Sequence, residues 1–295
     1  MFQDNAAQCV DLAIAYRLRA VSYGRGPDAR TIARFKAAGV LCMPTVGALK
    51  HALKAEQLGA DLITLQGGEG GGHTGGVPSS ILLPQVLDAV RVPVIAAGGF
   101  ATGRGLASAL AAGAAGIAMG TRFLMTRESP TPAATLERYL KVSDPQQVRV
   151  TTAVDGMRHR MIENPFINRL EQAGPFGRLR IALGSAWQWK QHTGMSLGHM
   201  AAVFLRAVRE DPAALSQGVM AANQPVLLQR SMVDGLPDQG ILPSGQVAAA
   251  IGELLDCRQV IEGIASEAEA CLDALLARRG SAETIINTIS IGEPL

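Results

Sequence analysis

Between residues 20 and 120 short apolar runs alternate with helix-length segments that stop at glycines, and this rhythm restricts the fold more than any other feature. The runs Ala20–Tyr23, Val40–Val46, Asp61–Gln66, Val92–Ala97 and Gly116–Gly120 predict strands. Residues 5–19, 28–38, 47–58, 81–90 and 103–112 predict helices, with Gly39, Gly59 and Gly113 at C-cap positions. The strands are apolar nearly throughout, as strands buried on both faces are. Strand–helix alternation of this kind specifies an α/β fold with a parallel sheet. Five such units fall short of the eight strands and about 250 residues of a closed barrel. An open sheet and an incomplete (β/α) barrel therefore both remain open.

Beyond residue 130 the texture changes, and Pro130 and Pro132 break the chain. Residues 133–142, 163–173, 197–209 and 213–232 read as helices, 148–154 as a short strand, and 240–280 as two helices opened by Pro243, Ser244 and Gly245. Two regions follow, 1–130 and a mainly helical 131–295. With 27 basic and 25 acidic residues, the +2 net charge gives no case for nucleic acid. Cys9, Cys42, Cys257 and Cys271 form no CxxC pair, so no zinc or dithiol site is expected, and a reduced, cytoplasmic setting fits. The uncharged run between Arg104 and Arg122 is too short and too rich in glycine for a membrane span.

The chemistry concentrates at three strand ends. After the third strand comes Gln66 and then GGEGGGHTG, with six glycines in the nine residues 68–76. So many glycines carry a backbone-entropy cost that makes sense where main chain must approach a ligand closely. His73 lies in this loop, and imidazole is the side chain whose unperturbed pKa lies closest to neutrality, which suits a general base. A flexible surface loop with a solvated histidine is the plainer alternative. Gly70, Gly72 and Gly75 formally match a dinucleotide fingerprint, but no helix opens there and no acid ends the next strand. The fourth strand ends in Gly98-Gly99 before a helix near Gly103, whose N-terminus would favour an anion. The fifth ends in Met119-Gly120-Thr121. Consecutive glycine-bearing strand ends are how barrels commonly hold phosphate.

The loop GGEGGGHTG and the stretch PVIAAGGFATGRGLASALAAGAAGIAMGTRFLMTRES (residues 93–129) resemble the nitronate monooxygenase family, formerly called 2-nitropropane dioxygenases. The similarity extends through residues 20–59, Val150–Met157, Met220–Asn223 and Ser244–Gln246. The resemblance implies a TIM barrel with a helical lid-like region and non-covalent FMN. It implies that Gln66 and Gly71 contact the flavin, that Gly98, Gly99, Gly120 and Thr121 hold its phosphate with Ala118 and Met119 alongside, and that His73 is the catalytic base. The base would take a proton from an acidified carbon, flavin would take the electrons, and O2 would reoxidise it. Complete members carry three further βα units before the position of Met1, so the chain is expected to be a fragment or to start late, with weakened FMN binding.

Nitronates are the name-giving substrates. The loop, TTAVDGM (residues 151–157) and the SGQVA segment look closer to a branch acting on acyl-CoA thioesters in steroid-ring degradation. Arg158, His159 and Arg160 would then meet CoA phosphates, unless they form a solvated turn. A barrel of the inosine-monophosphate dehydrogenase type needs a nucleophilic cysteine, and residues 66–76 hold none. A flavin-less remnant with a structural role is the non-catalytic alternative. His51, His192 and His199 lack metal-ligand spacing, the latter two lying near Trp187 and Trp189, and no GxSxG elbow occurs.

Overall fold

In the computed structural model, residues 6–24, 29–174, 177, 181, 184 and 223–290 are described. Along the chain the strands are β1 (Ala20–Tyr23), β2 (Leu41–Val46), β3 (Ile63–Gln66), β4 (Gly72–His73), β5 (Val94–Ala97), β6 (Gly116–Ala118), β7 (Val148–Thr151) and β8 (His159–Ile162). The helices used below are α1 (Ala6–Ala15), α2 (Ala29–Ala37), α3 (Leu49–Gln57), α4 (Ser79–Ala89), α5 (Gly103–Ala111), α6 (Thr121–Leu124), α7 (Ala133–Leu140), α8 (Pro165–Gln172), α9 (Asn223–Leu228) and α10 (Cys257–Ser290).

Five strands form one parallel sheet in the order β1-β2-β3-β5-β6. Each strand lies beside its predecessor and the order never reverses. Right-handed crossovers that always step the same way put every connecting helix on one face. A doubly wound sheet instead reverses its order and is covered on both faces. The sequential order is that of a barrel arc, and the fold is α/β with a parallel sheet.

The helices pack on the arc through small residues. Ala52, Ala55, Ala109 and Val86 meet Val46, Ile63, Leu65, Val94 and Ala96 in one buried cluster. Alanine on the helix side lets backbones approach closely at little entropy cost. A second cluster seats α1 and α2 through Val10, Ala13, Ile32 and Phe35 against Val40 and Cys42. The predicted strands and helices of this region recur within a few residues of their expected ends. At Gly59, which ends α3, φ is +91°, a conformation only glycine adopts without strain.

Residues beyond 124 build their own core. Met125, Tyr139, Val148, Ile162, Leu242 and Ile251 form one cluster, and Val154, Met161, Ile167, Leu170, Leu227 and Ile241 another. Burial pushes the Tyr139 phenol far above its ordinary pKa, and its hydroxyl donates to the Pro243 carbonyl at 2.8 Å. Asn164 caps α8 by accepting from the Ile167 N–H at 2.9 Å.

Three expectations need correction here. The loop 67–76 is not wholly irregular: β4 pairs antiparallel with β8, which pairs with β7. Nor is the Arg158–Arg160 segment a solvated turn, because His159 is 1% exposed and lies in β8. Residues 240–280 hold a short 3-10 turn, Gln246–Ala250, and one long helix, α10, in place of two helices. Pro243 to Gly245 run as an extended strap, with Pro243 bridged to Met161. The start of α10 carries a capping box: Asp256 accepts from the Gln259 N–H at 2.8 Å and Gln259 accepts from the Asp256 N–H at 3.1 Å. The helix expected at 197–209, the first part of 213–232, and Trp187, Trp189, His192 and His199 lie outside the described residues; α9 falls in the remainder of 213–232. Among the described residues no helix is long and apolar enough to cross a membrane.

Candidate active site

Parallel pairing brings three strand tips to one level. Gln66 is in register with Ala97, and Ala97 with Ala118. The loops that follow leave the sheet together and touch. A Cβ on Gly98 would stand 2.9 Å from the Gly67 carbonyl oxygen and 3.0 Å from its nitrogen. Gly98 and Gly99 also have φ of +91° and +85°, so both close approach and backbone conformation require glycine there. Ser79, opening α4, ties the loops: its hydroxyl lies 3.0 Å from the Gly98 carbonyl and 2.9 Å from Glu69, and its single proton serves one of the two at a time. Its N–H donates to both oxygens of the Glu69 carboxylate at 3.0 Å.

The strap supplies the fourth wall. Gln246 N–H donates to the Glu69 carbonyl at 3.0 Å, and Gly245 N–H to the Thr121 hydroxyl at 2.9 Å. Gly71 lies against the strap so closely that a Cβ would be 2.5 Å from the Ser244 carbonyl carbon. Arg160 grips the loop from β8: its Nε and one Nη donate to the Gly68 carbonyl at 3.0 and 2.8 Å, the other Nη to Val148 at 3.0 Å. Burial lowers the Arg160 pKa, opposed by the Glu69 charge.

Gln66, Gly98, Gly99, Ala118, Met119, Gly120 and Thr121 lie at these tips, whereas Gly71 and His73 lie in the loop after β3, His73 within β4. Gln66 donates to the carbonyls of Gly71 at 3.3 Å and His73 at 3.1 Å, and so shapes the loop itself. Among the described residues no acceptor takes the N–H of Gly99 or Gly120. A Cβ on Gly120 would meet open space. Ala118 and Met119 are half-buried beside it. One expectation is overturned: the α5 N-terminus is not open to an external anion. The Glu267 carboxylate of α10 accepts the Gly103 N–H at 2.6 Å, and a Cβ on Gly103 would be 2.4 Å from the Glu267 Cβ. A carboxylate of the chain itself satisfies that helix end.

His73 is not alone. Its Nε2 lies 2.6 Å from Asp155 Oδ2, and its ring stacks on His159 with centroids 4.5 Å apart and planes 16° from parallel. The other Asp155 oxygen accepts the Met157 N–H at 3.0 Å. Burial raises the Asp155 pKa, but the hydrogen bonds from His73 and Met157 and the charges of His73 and His159 outweigh it, so the carboxyl sits below its usual range. These three side chains place ligand atoms within 4.8 Å of one another. Imidazoles lying face to face cannot both aim in-plane lone pairs at one ion, so the geometry is that of a hydrogen-bonded dyad with a stacked neighbour. Sequence reasoning missed Asp155, His159 as a buried group, and Arg160 as a loop clamp. The alternation in VRVT (148–151) and HRMI (159–162) was the available signal for the hairpin.

The nitronate monooxygenase family model matches residues 3–267. A Rhodococcus jostii (3aS,4S,5R,7aS)-5-hydroxy-7a-methyl-1-oxo-octahydro-1H-indene-4-carboxyl-CoA dehydrogenase is 44% identical over 275 residues, covering 93% of this chain and 78% of the relative. Among solved structures, FabK from Thermotoga maritima is 28% identical with a TM-score of 0.73, covering 94% of this chain and 76% of that one. A nitroalkane oxidase from Streptomyces ansochromogenes is 26% identical with a TM-score of 0.69, covering 92% and 70%. With its sequential parallel sheet, glycine-bearing strand tips and histidine loop, the chain belongs to the nitronate monooxygenase family and is a flavin-dependent oxidoreductase.

Proposed function

We propose that the protein binds FMN across the tips of β3, β5 and β6 and oxidises a small molecule at a carbon acidified by a neighbouring carbonyl or nitro group. The observation that carries this is a histidine held 2.6 Å from a buried carboxylate, beside a cradle of glycine main chain. The cradle fits the phosphate end of FMN. Gly99 and Gly120 offer N–H groups, Gly120 has open space beside it, and the Thr121 hydroxyl retains a proton to donate. Gly98, Ala118 and Met119 shape that end, and Gln66 and Gly71 the ring end. When bound, FMN supplies the acceptor for the electron pair left on the substrate carbon. His73 takes the proton, and Asp155 balances the charge it gains. O2 is the proposed final acceptor.

In this reading the arc belongs to a (β/α)-barrel, residues 1–130 form the FMN-binding part, and 131–295 form a mainly helical region that covers it and carries the β7–β8 hairpin. The four cysteines form no disulfide, which supports a cytoplasmic setting. An acyl-CoA thioester is the favoured substrate class, supported by 44% identity to the CoA dehydrogenase over 93% of the chain, against 26% to the nitroalkane oxidase. The same acid–base problem, removal of a C–H proton next to flavin, serves a nitronate monooxygenase. The test is the absorbance of the purified protein with added FMN, followed by anaerobic bleaching with the octahydroindene-carboxyl-CoA and with an alkyl nitronate. A perturbed flavin spectrum bleached faster by the thioester is expected. No spectral perturbation would remove the FMN assignment, and bleaching by the nitronate alone would move the substrate to that class.

A further inference from the structure

We propose that Asp155 is the positioning residue of the base, fixing His73 as the tautomer protonated on Nε2 so that Nδ1 accepts the substrate proton; this rests on the reading of His73 as that base. The two groups are unequally placed. Asp155 is 1% exposed, while the His73 side chain is 32% exposed and can meet a ligand. Both Asp155 oxygens are engaged, Oδ1 by the Met157 N–H and Oδ2 by His73 Nε2. An ionised carboxylate only accepts hydrogen bonds. A 2.6 Å contact with a neutral imidazole therefore requires the ring proton on Nε2, which leaves the basic lone pair on Nδ1.

His159 completes the arrangement from β8. It is the cross-strand partner of His73, is itself 1% exposed, and lies face to face with the reacting ring. Stacking restrains ring rotation that the hydrogen bond alone would permit. Among the described residues, the charged and titratable groups placed against His73 include Asp155 in the β7–β8 turn and His159 on β8, with Arg158 and Arg160 flanking His159. Once His73 has taken the proton, its imidazolium faces the Asp155 anion on one edge. The proton moves from the substrate carbon to Nδ1, and the bonding pair stays on the substrate as its enolate.

Two measurements test this in flavin-loaded protein. The first follows deuterium exchange at the α-carbon of the octahydroindene-carboxyl-CoA, which reads proton removal separately from electron transfer. Asp155→Asn is expected to slow exchange by about 10²- to 10⁴-fold with little change in KM. The acid limb of its pH profile moves to lower pH, because loss of the anion makes His73 less basic, and Asp155→Glu recovers part of the rate. Exchange at the wild-type rate with an unmoved profile overturns the proposal. The second is the nitrogen NMR of histidine-labelled wild-type protein, which needs neither a variant nor a substrate. His73 protonated on Nε2 supports the assignment, and on Nδ1 sinks it. Undiminished exchange in His73→Gln would instead remove the base assignment itself, a separate failure.

Discussion

The parallel sheet and the region after it contribute to the candidate site by opposite means. Between residues 63 and 121 the cradle is local: each glycine turn follows its own strand, and parallel register alone brings Gln66, Ala97 and Ala118 level. The region after residue 124 brings single groups from far away, the side chains of Asp155 and Arg160 and the main-chain N–H of Gly245. Asp155 reaches His73 across 82 positions, Arg160 reaches Gly68 across 92, and Gly245 reaches Thr121 across 124. The difference teaches a division of labour. Main chain, common to any sequence that can make the turn, suits a cofactor; placed side chains suit orientation of the reacting group.

Breaking either half should have distinct signatures. The largest effect is expected from His73→Gln, which removes the proposed base and leaves the cradle: turnover falls by about 10²- to 10⁴-fold while FMN affinity, measured by fluorescence titration, is retained. Gly98→Val attacks the cradle instead. A branched side chain at φ +91°, pressed against Gly67, should cost about 3 kcal/mol in chemical denaturation and weaken FMN binding. Arg160→Met tests whether the hairpin holds the glycine loop. Loss of its paired hydrogen bonds to Gly68 should cost about 2 kcal/mol and raise the FMN Kd, and an unchanged Kd would show that the loop holds its shape unaided. The smallest effect belongs to Glu267→Gln at the α5–α10 junction. The carboxylate charge at the Gly103 N–H is expected to contribute about 0.5–1 kcal/mol, lost in the variant and in wild type at high salt.

The arc was legible because its signals are local. Apolar runs such as Val94–Ala97 and helix stops such as Gly59 are written in neighbouring residues, and they recur near the expected places. The strand order was not written in that alternation, which an open doubly wound sheet would share, and only the assembled sheet decided it. His73, Gly98, Gly99 and Gly120 stood out locally, as unusual residues at strand ends. The hairpin was harder to read. VRVT and HRMI are four residues each, separated by a turn; 148–154 read as a short strand, but the Arg158–Arg160 segment carried a solvated-turn alternative, so its strand partner went unseen. The capping box at Asp256 and Gln259 is a local signal that reading passed over, and it marks the start of α10.

The residue order alone settled that the chain makes a parallel α/β sheet with glycine turns at successive strand ends, since hydrophobic periodicity and turn chemistry act over a few residues. Only the tertiary fold decided which charges meet. It put Glu267 on the helix end that looked open to an external anion, buried His159 in a segment that looked solvated, and set Asp155 against His73. Such contacts depend on how strands from distant parts of the chain pair, and no local pattern encodes the partner of a side chain across 82 residues.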